Sequence, residues 1–331
     1  MLDRNIFGGL MVSAAFALSA GTALAADYTW QVQSVVPETD ADWYVTLTRM
    51  KEVVEEASGG AVEMQIFPVG ALVGEDSVVE AVSSGAVDGA HIIAGFAANV
   101  APSVLGTEMP FGVKNPEEHH ALHYEAGLLD IMAAEYAASN IEVLGIGTSG
   151  QLVFMSSDPI ETTEDLSGQK IWTIPNASWL AAFGAAPAEV PGFDMYSAMR
   201  LGTIDGFTWT LGELEAGNFK EAVKHVLQPA LLVPGTHLII NQDRWNELPE
   251  EMRADIKAGL EAAHLDIAAE YAAVDAKAVE AAKEYGVQFT EVDPASLKAM
   301  QEAADSFWSE VESASPAAAE MVSAYRDFLA R

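Results

Sequence analysis

Between Tyr28 and Asn241 the chain alternates short β-prone runs with helix-patterned runs, and that alternation leaves few architectures open. The segment YTWQVQSV from Tyr28 reads as a strand, Pro37, Glu38 and Asp40 as a loop, and the pattern through Met50, Val53 and Val54 as an amphipathic helix. Val62 to Phe67 alternates inward and outward positions and stops at Pro68 and Gly70, the mark of a second strand. A short helix around Val78 to Val82 leads to Gly85, and a third strand follows from Val87 to Ile93. A helical stretch from about Pro116 to Ser139 and a strand over Ile141 to Ile146 complete the block. Strands separated by helices predict parallel sheet with helical crossovers.

A second block of the same grammar starts near Gly150. It holds an apolar run from Leu152 to Met155, a strand pattern from Lys170 to Ile174, and a short helix from Ser178 to Gly184. One phrase, Ser83-Ser84-Gly85-Ala86-Val87-Asp88-Gly89, is matched in wiring by Arg200-Leu201-Gly202-Thr203-Ile204-Asp205-Gly206. In each, a helix ends on glycine and an Asp-Gly turn starts a strand. After a strand at Leu238 to Asn241, a helical pattern runs from Leu248 to Tyr285, roughly 50 Å at 1.5 Å per residue, so it must bend, break or cross two lobes. Two alanine-rich helices follow, the last opened by Ser315-Pro316.

The first 25 residues have the layout of a secretory signal peptide, with an apolar run from Ile6 to Leu18 and small residues before a cleavage point after Ala25. Export to the periplasm is expected, with no membrane insertion of the mature chain. A formal charge of −33 repels polyanions and argues against nucleic acid as a partner. The absence of cysteine excludes disulfides and thiol nucleophiles.

Catalytic signatures are missing: there is no G-x-G-x-x-G, no P-loop and no G-x-S-x-G. Asp205 and His91 are the residues a hydrolase or isomerase reading would use, but no base and nucleophile pair accompanies them; a surface scaffolding role is the other alternative. His119 and His123 stand four apart on a predicted helix, and solvent-facing histidines near a helix start are the favoured reading over a metal pair. No cofactor and no metal are expected. Residues suited to line a small-molecule cleft cluster at predicted strand ends: Trp43, Phe96, Gln151, Phe154, Trp172, Asn176, Thr208, Trp209, Thr210 and His237.

The order of motifs resembles the DctP-type substrate-binding proteins of tripartite ATP-independent periplasmic (TRAP) transporters over essentially the whole mature chain. The matching pieces are Gly59-Gly60 before Val62 to Phe67, Pro68-x-Gly70-Ala71-Leu72, Gly85-Ala86-Val87-Asp88, Met109-Pro110-Phe111, Pro159-Ile160 with Asp165-Leu166-Ser167-Gly168-Gln169-Lys170-Ile171, Tyr196-Ser197-Ala198-Met199-x-x-Gly202-Thr203-Ile204-Asp205-Gly206, and Asn241 with Trp245-x-x-Leu248-Pro249. The resemblance implies an α/β fold of two lobes closing on a ligand, with a long helix spanning both. It also implies a receptor and not an enzyme, with membrane permease subunits of a TRAP transporter as partners and an organic acid as the ligand class. The lobes are expected at 26–149 plus 236–277 and at 150–235 plus 278–331, with crossings near Gly150 and Val233-Pro234-Gly235.

One position departs from the family's pattern. Similar proteins carry arginine directly after the Lys-Ile pair, where its guanidinium grips a ligand carboxylate. This chain has Trp172 there, and no arginine between Arg49 and Arg200. Lys170, two residues before Trp172, is the cation of that strand pattern. Thr208 stands where metal-bridging members commonly carry glutamate. A neutral, aromatic or cationic solute held by aromatic rings is therefore the alternative to an acid.

Overall fold

The computed structural model describes residues 26–38, 43–148, 150–190 and 194–331, the side chains of Pro175 and Asn176 apart. The leader and its cleavage point lie outside the described residues. Two sheets organise the rest. The first has the order β2-β1-β3-β10-β4 and the second β11-β9-β5-β8-β6-β7. The first draws on β1 (Tyr28–Ser34), β2 (Val62–Phe67), β3 (Gly89–Ile93), β4 (Ile141–Thr148) and β10 (Gly235–Asn241). The second draws on β5 (Leu152–Ser156), β6 (Lys170–Trp172), β7 (Ala186–Pro187), β8 (Gly206–Thr210), β9 (His225–Gln228) and β11 (Gln288–Glu291). The chain passes from one sheet to the other between β4 and β5 and returns between β9 and β10.

Both sheets are mixed, where the alternating pattern predicts parallel ones. β1 pairs in parallel with β2 and β3, whereas β10 runs antiparallel to β3 and β4; β5 likewise opposes β8 and β9. The exceptions are strands beside the crossovers. Their direction is set by where the chain enters from the other sheet and not by a helical connection within their own.

The two Asp-Gly phrases share more than wiring. Asp88 Oδ2 accepts the Gln31 amide of neighbouring β1 at 2.8 Å, and Asp205 Oδ2 accepts the Lys170 amide of neighbouring β6 at 2.8 Å. Each aspartate thus caps the parallel strand beside it. Each following glycine is pressed against an antiparallel neighbour: a Cβ on Gly89 would lie 2.7 Å from Ile239 O, and one on Gly206 2.9 Å from Met155 O. The preceding helices, α2 (Val78–Ser84) and α5 (Met195–Arg200), run out into Gly85 and Gly202, both at positive φ. Asp205 is therefore structural, which removes it from the enzymatic alternative.

Helix α8 (Glu250–Tyr285), which follows the short α7 (Gln242–Asn246), runs unbroken for 36 residues. Its first part packs on β4 and on α1 (Trp43–Ala57), and Ile256, Leu260, Ile267 and Tyr271 join Trp30, Leu47, Met50 and Leu144 in one core. Further along, α8 meets α6 (Glu213–Ala216) and the 219–221 turn, with Ala278 and Ala282 buried in the second core. It spans both lobes. Helix α9 (Pro294–Ala314) touches the 102–107 turn and the 175–183 turn. α10 (Pro316–Leu329), grouped with the second lobe in the sequence, packs on α9, on α4 (Leu128–Ala137) and on the 102–107 turn.

The helical stretch from 116 is interrupted. α3 (Pro116–His120) passes into a π-turn over Ala121–Glu125 before α4. His119 and His123, expected to face solvent, are both fully buried, because α3 is clamped under α8. His119 Nδ1 lies 3.2 Å from His264 Nε2 on α8, and His123 Nδ1 lies 2.8 Å from the His119 carbonyl. Among the described residues, no group of three or more histidines and acids is arranged to hold a metal. His91 is buried in β3, its Nε2 without a partner among the described residues. Burial holds His91, His237 and His264 down to about 3 and His123 down to about 4, and it holds His119 well below its ordinary value. Glu108, also buried, accepts the Gly235 amide at 2.8 Å and is pushed up to about 8 by loss of solvent.

Two outcomes follow for stability. Gly89→Ala and Gly206→Ala each force a Cβ against backbone, and each should lower the unfolding free energy by about 1–3 kcal/mol in urea titrations; a change within error would mean that the strands can part without cost. The buried histidines stay neutral in the folded chain but bind protons once unfolded, so they supply full stability above about pH 6.5 and progressively lose it as pH falls towards 4. Glu108 works in the opposite sense, losing stability as pH rises, but five histidines outnumber it. The unfolding free energy from urea titrations should fall steeply between pH 7 and pH 5, by at least about 1.4 kcal/mol per pH unit below pH 6, the value for one excess proton, and the midpoint should fall with it. His264→Gln should flatten the fall, and a pH-independent midpoint would overturn the reading.

Candidate ligand-binding cleft

β1 and β3 run parallel, so the loops that leave their carboxyl ends open on one edge of the first sheet, where ligands of such sheets gather. α1 starts there with Trp43, and the 94–97 turn carries Phe96 to the same edge. From the second lobe, β6 ends on Trp172 and pairs in parallel with β8, which carries Trp209. The Trp43 and Trp209 ring centroids are 5.0 Å apart, and those of Trp172 and Trp209 5.6 Å. Three tryptophans from three elements thus meet where the lobes face each other. Trp43 is 1 % exposed and Trp209 5 %, while Trp172 is half-buried.

Other residues singled out in the sequence are used elsewhere. Successive side chains of a strand leave on opposite faces, so Thr208 and Thr210 project away from the Trp209 face. Both are buried, and the Thr208 hydroxyl accepts the Ile174 amide at 3.3 Å. Phe154 is buried opposite Thr208, its ring filling the space over Gly206. His237 is buried in β10, its Nδ1 3.0 Å from the Tyr136 hydroxyl on α4. Gln151 sits at the first crossover, its amide donating to Asp275 Oδ2 at 3.3 Å. Asn176 falls in the 175–183 turn, with its side chain outside the described residues.

Cations are scarce around the tryptophans. Lys170 Nζ donates to the Gly202 carbonyl at 2.6 Å and lies 3.7 Å from Asp205, which ties it to the start of β8. Arg49 pairs with Glu52 and Glu270, Arg244 with Asp88 and Glu247, and Arg326 with Glu312. Arg253 donates to Asn246, and Arg200 and Arg331 are exposed on α5 and at the end of the chain. A guanidinium clamp for a carboxylate is not what these arginines build.

A second aromatic contact joins the two lobes. Phe111 and Trp179 pack with centroids 5.4 Å apart, joining the 109–113 loop to the 175–183 turn. Phe111 holds a positive φ of 54°, a strained value for a bulky residue, and its amide donates to Leu231 O. The only sequence signal was its place in Met109-Pro110-Phe111.

Residues 33–314 match the family described as DctP, bacterial extracellular solute-binding protein, family 7. A solute-binding protein of Chromohalobacter salexigens is 24% identical over 297 residues, covering 86% of this chain and 84% of its own. A TRAP periplasmic solute-binding protein from Desulfovibrio salexigens, solved with bound orotic acid, superposes with a TM-score of 0.81 at 22% identity, over 92% of this chain and 99% of that one. One from Chromohalobacter salexigens with bound (S)-(+)-2-amino-1-propanol gives a TM-score of 0.80 at 22% identity, over 92% and 96%. No helix among the described residues is long and apolar enough to cross a membrane. With a two-lobed frame, a long helix spanning both lobes and a family match over most of its length, the chain belongs to the DctP family of bacterial extracellular solute-binding proteins, periplasmic transport receptors and not enzymes.

Proposed function

We propose that this receptor captures a small neutral or cation-bearing solute between Trp43, Trp172 and Trp209 and hands it to the permease subunits of a TRAP transporter after export and cleavage behind Ala25. The contact of Trp43 with Trp209 across the lobes carries the reading. Indole faces attract ammonium and quaternary nitrogen groups through the ring quadrupole and offer apolar area to neutral solutes. A carboxylate entering the same place loses several kcal/mol of hydration with no guanidinium to replace it. The relative that binds an amino alcohol supports this class.

An organic acid is the second reading, supported by the relative that binds orotic acid and by the resemblance to acid-binding receptors. The bodies that close are proposed as 26–149 with 236–277 and 150–235 with 278–331, turning about Gly150 and Val233-Pro234-Gly235. The packing of α10 on α4 supports moving that helix to the first body.

A thermal-shift screen of simple carboxylates, polyols, aromatic compounds and betaine-like solutes separates the readings. Wild type should be stabilised by amines or betaine-like solutes, Trp172→Ala should weaken them tenfold or more, about 1.4 kcal/mol, and Trp172→Arg should turn the preference towards carboxylates. A wild type that answers only to carboxylates, with an affinity unmoved by Trp172→Ala, restores the acid.

A further inference from the structure

Behind the crossovers, between them and α8, lies a cavity of ≈ 350 Å³ bordered by Lys114, Gly150, Gln151, Leu211, Tyr271 and Asp275. Asp275 is the one carboxylate among its described lining residues. Its Oδ2 accepts the Gln151 amide at 3.3 Å, and the Gly212 amide also donates to this carboxyl. Gln151 follows the first crossover; Gly212 lies three residues beyond Trp209. Gly150 makes room for the arrangement, since a Cβ there would stand 2.4 Å from Asp275 Oδ2. One turn earlier on α8, the Tyr271 hydroxyl is 2.6 Å from Thr46 Oγ1, and Thr46 lies one turn along α1 from Trp43. α8 is therefore bonded at 271 to the helix that carries Trp43 and at 275 to the loop that follows Trp209.

We propose that Asp275 is a positioning residue that holds the second lobe to α8 when the cleft is closed, and so sets how much of the receptor is closed without touching the solute. The inference rests on the closing-receptor reading above. A helix cannot stretch, so separating Trp43 from Trp209 must give way at one of the two attachments. Both ends line the cavity, but Tyr271 is also packed in the first core, whereas Asp275 is the polar hold just ahead of the part of α8 whose Ala278 and Ala282 pack on the second lobe. The Gln151 amide on Oδ2 and the Gly212 amide hold the carboxyl in place, and Oδ1 is buried without a partner among the described residues. Loss of solvent pushes this carboxyl up to about 6, and asparagine is the conservative variant because its side-chain carbonyl keeps an acceptor for the amides.

The chain has no cysteine, so spin labels on Glu56→Cys in α1 and Leu201→Cys after α5 report the distance between lobes without background. Pulsed EPR on full-length protein stripped of solute by unfolding and refolding should show a short-distance population in wild type and in Asp275→Asn. Asp275→Ala should lose it, and so should Gly150→Ala, which crowds the carboxyl without removing it; circular dichroism melts confirm that both are folded. If trimethylglycine or a simple carboxylate shortens the wild-type distance while Asp275→Ala and Gly150→Ala match wild type throughout, the role of Asp275 is refuted and the receptor reading stands. One unmoving distance in every variant, with or without those solutes, removes closure itself and this inference with it.

Discussion

Two sheets with separate strands would swing freely on two thin crossovers unless a stiff element lay against both, and α8 is that element. Its reach dictates what the crossovers are made of. Where it lies over them the chain must be small: Gly150 has no space for a Cβ beneath Asp275, and Gly145 faces Leu260 with its missing Cβ 3.2 Å from that side chain. Gly147, two residues on and on the same face, is pressed by Thr46 of α1. The glycines of β4 are thus a footprint of the helices packed over them, not a sign of turns.

Much of this frame was legible because its signals are local. The Asp-Gly phrases announce strand starts, since a carboxylate that caps the neighbouring strand and a glycine that fits against a carbonyl need only adjacent residues. The length of α8 and the Ser315 cap of α10, whose hydroxyl accepts the Ala318 amide at 3.0 Å, were readable for the same reason. The reversed direction of β10 was not, because it depends on where the chain returns from the other lobe. Nor was the burial of His119 and His123, which depends on α8, far along the chain, covering α3.

The candidate cleft divides along the same line. Aromatics at strand ends were visible, but only folding brings Trp43, Trp172 and Trp209 within contact while turning Phe154 into a core. Thr208 and Thr210 illustrate a signal present but unused. With Trp209 assigned to one face of β8, the period of two already sends its neighbours to the other. Lys170 needed the structure, because its partners Gly202 and Asp205 lie about thirty residues further along the chain, at the start of β8.

The acidity of the chain and the chemistry of its tryptophans act over different distances. A formal charge of −33 raises the concentration of cations near the surface and opposes approach by anions, but at physiological salt that field decays over about 8 Å and cannot choose among solutes already between the lobes. Choice there belongs to contact. An arginine at position 172 would give a carboxylate both a countercharge and two hydrogen bonds; an indole gives neither, and instead gains most from a group with diffuse positive charge or none. In the proposed cleft, surface charge and tryptophan contact would therefore favour the same solutes, the first by speeding their encounter and the second by holding them once the lobes meet.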